Sequence, residues 1–115
     1  MFKSVEYAGF DGEPELRRLA EQATGLLPAE VESFRNDVRV RWAADAGSPD
    51  ALDLDLTLEL SGGTGHAARR IATADFADDD ELRYHLRRTW TAAARDYLNK
   101  RVAAWDEITR QPVEV

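Results

Sequence analysis

"LDLDLTLEL", residues 52–60, decides the fold of this chain. Leucine occupies each even position, and aspartate, threonine or glutamate occupies each odd position. Because successive side chains of a strand point to opposite faces, this period of two predicts a strand with one apolar and one acidic face. A helix would scatter the leucines around its circumference. We therefore expect this segment to cover a core on one side and to face water on the other.

Three further strands are predicted around this segment. "SFRNDVRVRWAAD", residues 33–45, alternates apolar and polar side chains, and "AGSPD", residues 46–50, is a cluster of turn formers. "SGGTG", residues 61–65, predicts a second hairpin. "HAARRIATADF", residues 66–76, is the weakest strand, because its small residues and paired arginines blur the alternation. "FKSVEY", residues 2–7, predicts a short strand at the N-terminus.

Two helices complete the pattern. Residues 11–25 carry an apolar stripe at helical spacing, which Gly25 should terminate, so that residues 26–33 become a connection. Asp78 can cap a second helix that runs to about residue 110. That helix would be roughly 45–50 Å long at 1.5 Å per residue. It exceeds the width of the sheet, so we expect its end to project.

The predicted element order is β-α-β-β-β-α in a single α+β domain, residues 1–115. Each helix has one apolar stripe and the central strand has one apolar face. The simplest layering is therefore a four-stranded mixed sheet with two helices packed on one face and water on the other. The first β-α-β step should be a right-handed parallel crossover.

Composition indicates an acidic protein with no thiol chemistry. The chain has 115 residues, 43% of them hydrophobic, a net charge of −7 and no cysteine, which excludes disulfides and thiolate metal sites. It lacks an apolar stretch of membrane-spanning length and a signal-peptide core, so we expect a cytoplasmic protein without a membrane partner. Residues 1–81 hold eighteen acids and eight bases, whereas residues 82–113 hold seven bases and three acids.

The carboxylates on the water-facing side of the central strand allow three interpretations. The structural one pairs them with arginines of the neighbouring strands, which stabilises by roughly 0.2–1 kcal/mol per pair and sets the register. An Asp-x-Asp pair could also hold magnesium, but nearby arginines oppose a cation, so we predict no metal site. The third is an acidic face that docks a basic protein. The residues concerned are Asp53, Asp55 and Glu59.

The sequence contains no motif that indicates catalysis or cofactor binding. "SGGTG" lacks the Lys-Ser/Thr and the helix that follow in a phosphate-binding loop. "DFADDDE", residues 75–81, lacks the spacing of a calcium-binding loop and is better explained as a helix start. His66 and His85 are the only histidines, and no nucleophile–base–acid set accompanies them. We therefore predict no catalytic residue, no cofactor and no enzymatic activity.

The last helix carries the candidate binding surface for a polyanion. Its arginines flank or adjoin the apolar stripe when the sequence is plotted at 100° per residue. They either form a solvated face that pairs with the acidic body or contact phosphate groups. The candidate residues are Arg83, Arg87, Arg88, Arg95 and Arg101.

The layout resembles the ribosome hibernation-promoting factor family, also called ribosome-associated inhibitor or sigma-54 modulation proteins. The matching segments are "PELRRLAEQA" (14–23), "DVRVRW" (37–42), "DLTLELSGGTGHA" (55–67) and "DDDELRYHLRRTWTAAARDYLNKR" (78–101). The resemblance implies β-α-β-β-β-α topology and binding of the small ribosomal subunit, in the channel used by messenger and transfer RNA. It also implies a role in translation regulation and stress response, because family members silence translation in resting cells.

The chain departs from the family at its last helix. The usual signature, Asp-Met/Leu-Tyr-x-Ala-Ile-Asp, is replaced by "DDDELRYHLR", residues 78–87, and the lysine-rich helix end is reduced to Lys100, Arg101 and Arg110. The chain is similar to the short form, which lacks the extra dimerisation domain. We expect RNA binding through the arginines above. The alternative is an acidic protein-interaction module of the same fold, without ribosome affinity.

Overall fold

The computed structural model describes residues 1–45 and 47–110. The described elements are β1 (Ser4–Ala8), α1 (Pro14–Val31), β2 (Val38–Asp45), β3 (Ser48–Leu60), β4 (Gly63–Ala72) and α2 (Asp79–Arg110). Short 3₁₀ turns at Glu32–Asp37 and Thr73–Ala77 precede β2 and α2. The predicted β-α-β-β-β-α order and the α+β class are confirmed.

The strands form one mixed sheet in the order β1-β2-β3-β4. β1 and β2 are parallel, as expected across a β-α-β step, and the two hairpins are antiparallel. Leu56 lies opposite Val40 on β2 and Ala67 on β4. The leucines at 52, 54, 56 and 58 are buried beneath the helices and Leu60 is partly buried, so the period of two places the core as predicted.

Helix α1 is longer than the sequence predicts. It continues through Gly25 and Pro28 to Val31, so the expected connection at residues 26–33 is wrong. Leu27 and Val31 extend the apolar stripe and are fully or almost fully buried. Burying such side chains stabilises by about 1.5–3 kcal/mol each, which offsets a helical glycine at about 1 and an internal proline at about 3.

Strand β2 is shorter than predicted, because the longer α1 leaves residues 32–37 to return the chain to the sheet. These residues form a 3₁₀ turn instead of the first half of a strand. Phe34 is consequently 42% exposed, and its ring lies 5.8 Å from that of Trp90. The first hairpin turn is also tighter, since Ser48–Asp50 belong to β3; Ala46 lies outside the described residues.

Strand β4 is displaced toward the N-terminus relative to the prediction. It begins at Gly63, which tightens the second hairpin, and it ends at Ala72, so residues 73–76 form a 3₁₀ turn. Asp78 caps α2 as predicted, because its carboxylate accepts hydrogen bonds from the N–H groups of Asp80 at 2.9 Å and Glu81 at 3.4 Å. The 32 residues of α2 span about 48 Å. Residues 98–109 are exposed, so the helix end projects.

Helix α2 lies directly on the edge strand β4. A Cβ on the buried Gly65 would meet the Ala93 carbonyl and lie 2.6 Å from the Tyr97 Cβ, so only glycine permits this approach. One turn along, the Asp96 carboxylate accepts a hydrogen bond from the His66 backbone N–H at 2.8 Å. Lys100 and this N–H lower the pKa of Asp96. These contacts hold α2 to the sheet as far as Tyr97.

Candidate functional site

The open face of the sheet carries the predicted acidic residues, and each is paired within the sheet. Arg70 donates two hydrogen bonds to the Asp53 carboxylate, at 3.0 and 3.2 Å. Asp55 lies 2.8 Å from the Nε2 atom of His66. The cross-strand arrangement follows the register, in which Asp53 is opposite Arg70.

Glu59 has two cationic partners. Arg39 donates to its carboxylate at 2.9 Å, and the Lys3 ammonium lies 3.0 Å away. These hydrogen bonds, from Lys3 first and then Arg39, lower the pKa of Glu59. Arg39 and Arg70 belong to the neighbouring strands, as the structural interpretation of the sequence expected, whereas Lys3 and His66 were not expected as partners. A magnesium ion between the strand carboxylates would have to displace cations already in place.

Two of the predicted phosphate-contacting arginines serve the fold instead. The Arg87 Nε donates to Glu30 at 3.0 Å, and this carboxylate, whose side chain is only 10% exposed, raises the pKa of Arg87. Arg101 donates to the Gly62 carbonyl at 3.2 Å and so ties α2 to the second hairpin turn. Arg83 is exposed on the first turns of α2. The five arginines therefore do not form one surface.

Arg88 and Arg95 do share a surface, and Arg69 of β4 joins them. Together with Thr91 and Ala92 they line a groove of about 160 Å³ between the helix and the edge of the sheet, here called the arginine groove. Two turns of α2 separate Arg88 from Arg95, and the small side chains between them leave the groove open. Within residues 1–45 and 47–110, the salt bridges involve none of its three guanidinium groups.

Arg69 is the site residue that sequence reasoning missed. Its register opposite the buried Leu54 turns it toward the helix side, away from the open face that carries Arg70. Its Nε donates to the Nδ1 atom of His85 at 2.8 Å. His85 Nε2 then lies 3.0 Å from Asp75, which implies the tautomer that carries its proton on Nε2. The alternation of β4 places Arg69 on the helix-facing side, but the small residues of this strand made the alternation hard to recognise in the sequence.

An aromatic ring stands beside the arginine groove. Tyr84, one residue before His85 on α2, is 52% exposed. The guanidinium carbons of Arg69 and Arg88 both lie 6.0 Å from the centre of its ring. Both guanidinium groups lie over the ring at cation–π distance, so Tyr84 belongs to the same surface as Arg69 and Arg88, and about half of this residue remains exposed.

A carboxylate–imidazole cluster lies at the start of α2. Asp75, Glu81 and His85 each offer a ligand atom within 4.8 Å of the others, a set that the sequence analysis did not identify. Such donors suit divalent transition metals. However, both nitrogens of His85 already have partners, and the Arg69 cation would oppose a second positive charge. The geometry favours a structural role, in which the hydrogen bonds of His85 link the edge of the sheet to α2.

Comparison with known proteins adds no family to these observations. No protein-family model matches the sequence, and no curated protein matches it either. Among the described residues, neither helix has an apolar stretch long enough to cross a bilayer. The candidate function therefore depends on the arginine groove and on the family resemblance of the element order and motifs that was noted from the sequence.

Proposed function

We propose that this protein is a non-enzymatic factor that binds the small ribosomal subunit in resting or stressed cells. The arginine groove would contact ribosomal RNA. The observation that carries this proposal is the convergence of Arg69, Arg88 and Arg95, without a carboxylate partner among the described residues, on a protein of net charge −7. Elsewhere on this molecule many arginines pair with acids, so a set without a carboxylate partner among the described residues is the best candidate for an external anion.

The chemistry of the groove fits a nucleic-acid backbone. Guanidinium groups bind phosphate through two parallel N–H donors, and each contact releases counterions from the nucleic acid. Ribosomal RNA presents such phosphate groups at its exposed functional surfaces.

The ribosome is favoured over other RNA by the resemblance to hibernation-promoting factors. The β-α-β-β-β-α order, the histidine–alanine pair after the Gly-Gly turn and the acidic start of a long last helix support that assignment. A cytoplasmic location would follow from such a role. The set of RNA-contacting residues is revised to Arg69, Arg88 and Arg95, whereas Arg83 does not line the groove and Arg87 and Arg101 are engaged within the fold.

The acidic protein-interaction module is the second candidate and has less support. Its docking face would be Asp53, Asp55 and Glu59, whose carboxylates already bind cations of the same sheet. A basic partner would have to replace those contacts and would gain little, because exposed ion pairs are worth at most about 1 kcal/mol.

Co-sedimentation with purified small ribosomal subunits in sucrose gradients tests the proposal. The wild-type chain should sediment with the subunit at low salt and be released as salt rises, because phosphate contacts displace counterions. The double variant Arg88→Glu/Arg95→Glu should remain at the top of the gradient at low salt. The matched control Arg17→Glu/Arg18→Glu changes the net charge equally on exposed positions of α1 and should still co-sediment.

Arg87 is left unchanged in the test variant. Replacing it with glutamate would place a second carboxylate beside the nearly buried Glu30, so loss of binding could then reflect loss of folding. Circular dichroism should show the double variant folded. A wild-type chain that fails to sediment with the subunit at low salt would overturn the ribosome proposal, and equal loss in both double variants would overturn the role of the groove.

A further inference from the structure

The hydrogen bond between Arg69 of the arginine groove and His85 of α2 exists in only one protonation state of the imidazole. The Nε of Arg69 donates to the Nδ1 of His85 at 2.8 Å. A guanidinium group only donates hydrogen bonds, so the ring nitrogen that faces it must carry a lone pair. The other ring nitrogen lies 3.0 Å from Asp75, whose ionised carboxylate only accepts. Both contacts therefore require the neutral imidazole.

Protonation of His85 removes the acceptor that Arg69 uses. The added proton occupies Nδ1, where it points at the N–H group of Arg69 and sets two positive charges side by side. Asp75 keeps its hydrogen bond from Nε2. A carboxylate oxygen of Glu81, within 4.8 Å of a ring nitrogen, offers an acceptor for the new N–H group after a small movement. Arg69 is therefore the member of this cluster that has to leave.

The ionisable groups around His85 come from three elements of the fold. Among the residues that the structure describes, those that face the ring are Arg69 of β4, Asp75 of the turn before α2, and Glu81 and Tyr84 of α2 itself. Helix α1 brings Glu30 to α2, but this carboxylate binds Arg87, which lies about 200° around the helix from His85. β3 contributes the buried, uncharged Leu54 opposite Arg69. Arg69 is thus the cation in contact with the ring.

We propose that His85 regulates the arginine groove by binding a proton. The neutral imidazole occupies the Nε of Arg69, whereas the imidazolium releases it and adds a positive charge beside the groove that Arg69 lines with Arg88 and Arg95. The His85 side chain is 15% exposed, so it can exchange protons with water. Anion binding should strengthen as the pH falls from about 8 to about 5, the range in which imidazoles gain a proton. This inference rests on the proposed phosphate-binding role of the groove.

The geometry of the guanidinium group sets the expected size of the effect. A phosphate is bound best by two parallel N–H donors along one edge of the group. While Nε donates to His85, the edge formed by Nε and its neighbouring Nη is unavailable. Its release provides about one further charge-assisted hydrogen bond, so affinity for a phosphate backbone should rise roughly tenfold.

Nuclear magnetic resonance tests the hydrogen bond in the unmodified chain. The Nε–H signal of Arg69, assigned by its loss in Arg69→Lys, should be protected from exchange with water at about pH 8. As the pH falls, this signal should lose its protection with the same midpoint as the ring protons of His85, because protonation removes its acceptor. A signal that stays protected while His85 gains its proton would overturn the proposal.

Binding of a fluorescently labelled oligouridine, followed by anisotropy at constant ionic strength, tests the regulation. The phosphodiester charges of this probe do not change over the pH range, so a change in affinity reports the protein. The wild-type affinity should rise roughly tenfold between about pH 8 and about pH 5.5. His85→Gln should lose most of this rise, because its amide cannot gain a proton but can still accept from Arg69.

The matched control is His66→Gln, which removes the other histidine of the chain. That residue contacts Asp55 on the open face, so this variant should keep the pH dependence. Circular dichroism should show both variants folded. Equal pH dependence in wild type and His85→Gln, or no binding of oligouridine at either pH, would overturn the proposal. A chain that binds oligouridine as expected but does not sediment with the small subunit would remove the ribosome and leave this inference standing.

Discussion

On β3, the helix-facing side and the open side differ in what their side chains touch. Leu54 and Leu56 are fully buried under both helices, whereas the intervening Asp55 keeps 29% of its side chain in water while it contacts His66. Removing apolar area from water supplies the larger free energy, and exposed ion pairs supply much less. The leucines should therefore determine whether the sheet folds, and the charges should determine which residues pair across it.

The largest effect is expected on the buried side. Leu56→Ala should lower the free energy of unfolding by about 2–5 kcal/mol, since it loses buried apolar area and leaves a cavity at the centre of the sheet. Urea denaturation followed by tryptophan fluorescence measures this loss. A cost below about 1 kcal/mol would mean that the central strand is not the core of the fold.

The second-largest effect is expected where β4 packs closely against α2. Gly65→Ala should cost about 1–3 kcal/mol, because the added methyl group must displace α2 at Ala93 and Tyr97. Gly25→Ala is the matched control: this helical glycine has open space around it, so the same methyl should stabilise α1 by about 0.4–1 kcal/mol. Equal responses at the two glycines, measured by denaturation, would contradict the close packing of α2 on β4.

The sequence predicted those elements of the fold that a single local pattern defines. The alternation at residues 52–60 defines β3, and Asp78 marks the start of α2. The end of α1 was mispredicted because Gly25 and Pro28 are local helix breakers, whereas the burial of Leu27 and Val31 is a tertiary effect. A local rule fails where burial elsewhere outweighs it.

The candidate site was predicted only in part, for a related reason. Arg88 and Arg95 were identified from helical geometry within one element, but Arg69 joins them from another strand. Nothing in the sequence distinguishes Arg87 from Arg88 as a phosphate ligand. Their difference arises from Glu30, which α1 carries to Arg87 across the helix pair. Sites assembled from several elements require the tertiary structure.

A smaller effect should appear as a pH dependence on the charged side. Cationic partners place the pKa of folded Glu59 below its ordinary value of 4.5. The carboxylate therefore contributes stability that is fully present above pH 4.5 and is lost as the pH falls through the folded pKa. Denaturation of wild type and Glu59→Gln at several pH values measures this. The stability difference between them should shrink below pH 4.5; a difference independent of pH would contradict the ion pairs.

The smallest effect should come from Asp55, which adjoins Leu56 in sequence and faces the other way. Asp55→Ala should cost less than about 1 kcal/mol, since both it and His66 are partly exposed and the surrounding water screens their interaction. A double-mutant cycle with His66→Ala isolates the pair and should give a coupling of roughly 0.2–1 kcal/mol. If Asp55→Ala destabilised the fold as much as Leu56→Ala, the open face would be a second source of stability. The carboxylates would then have to be treated as part of the folding core, which would further weaken the case for their docking a basic partner.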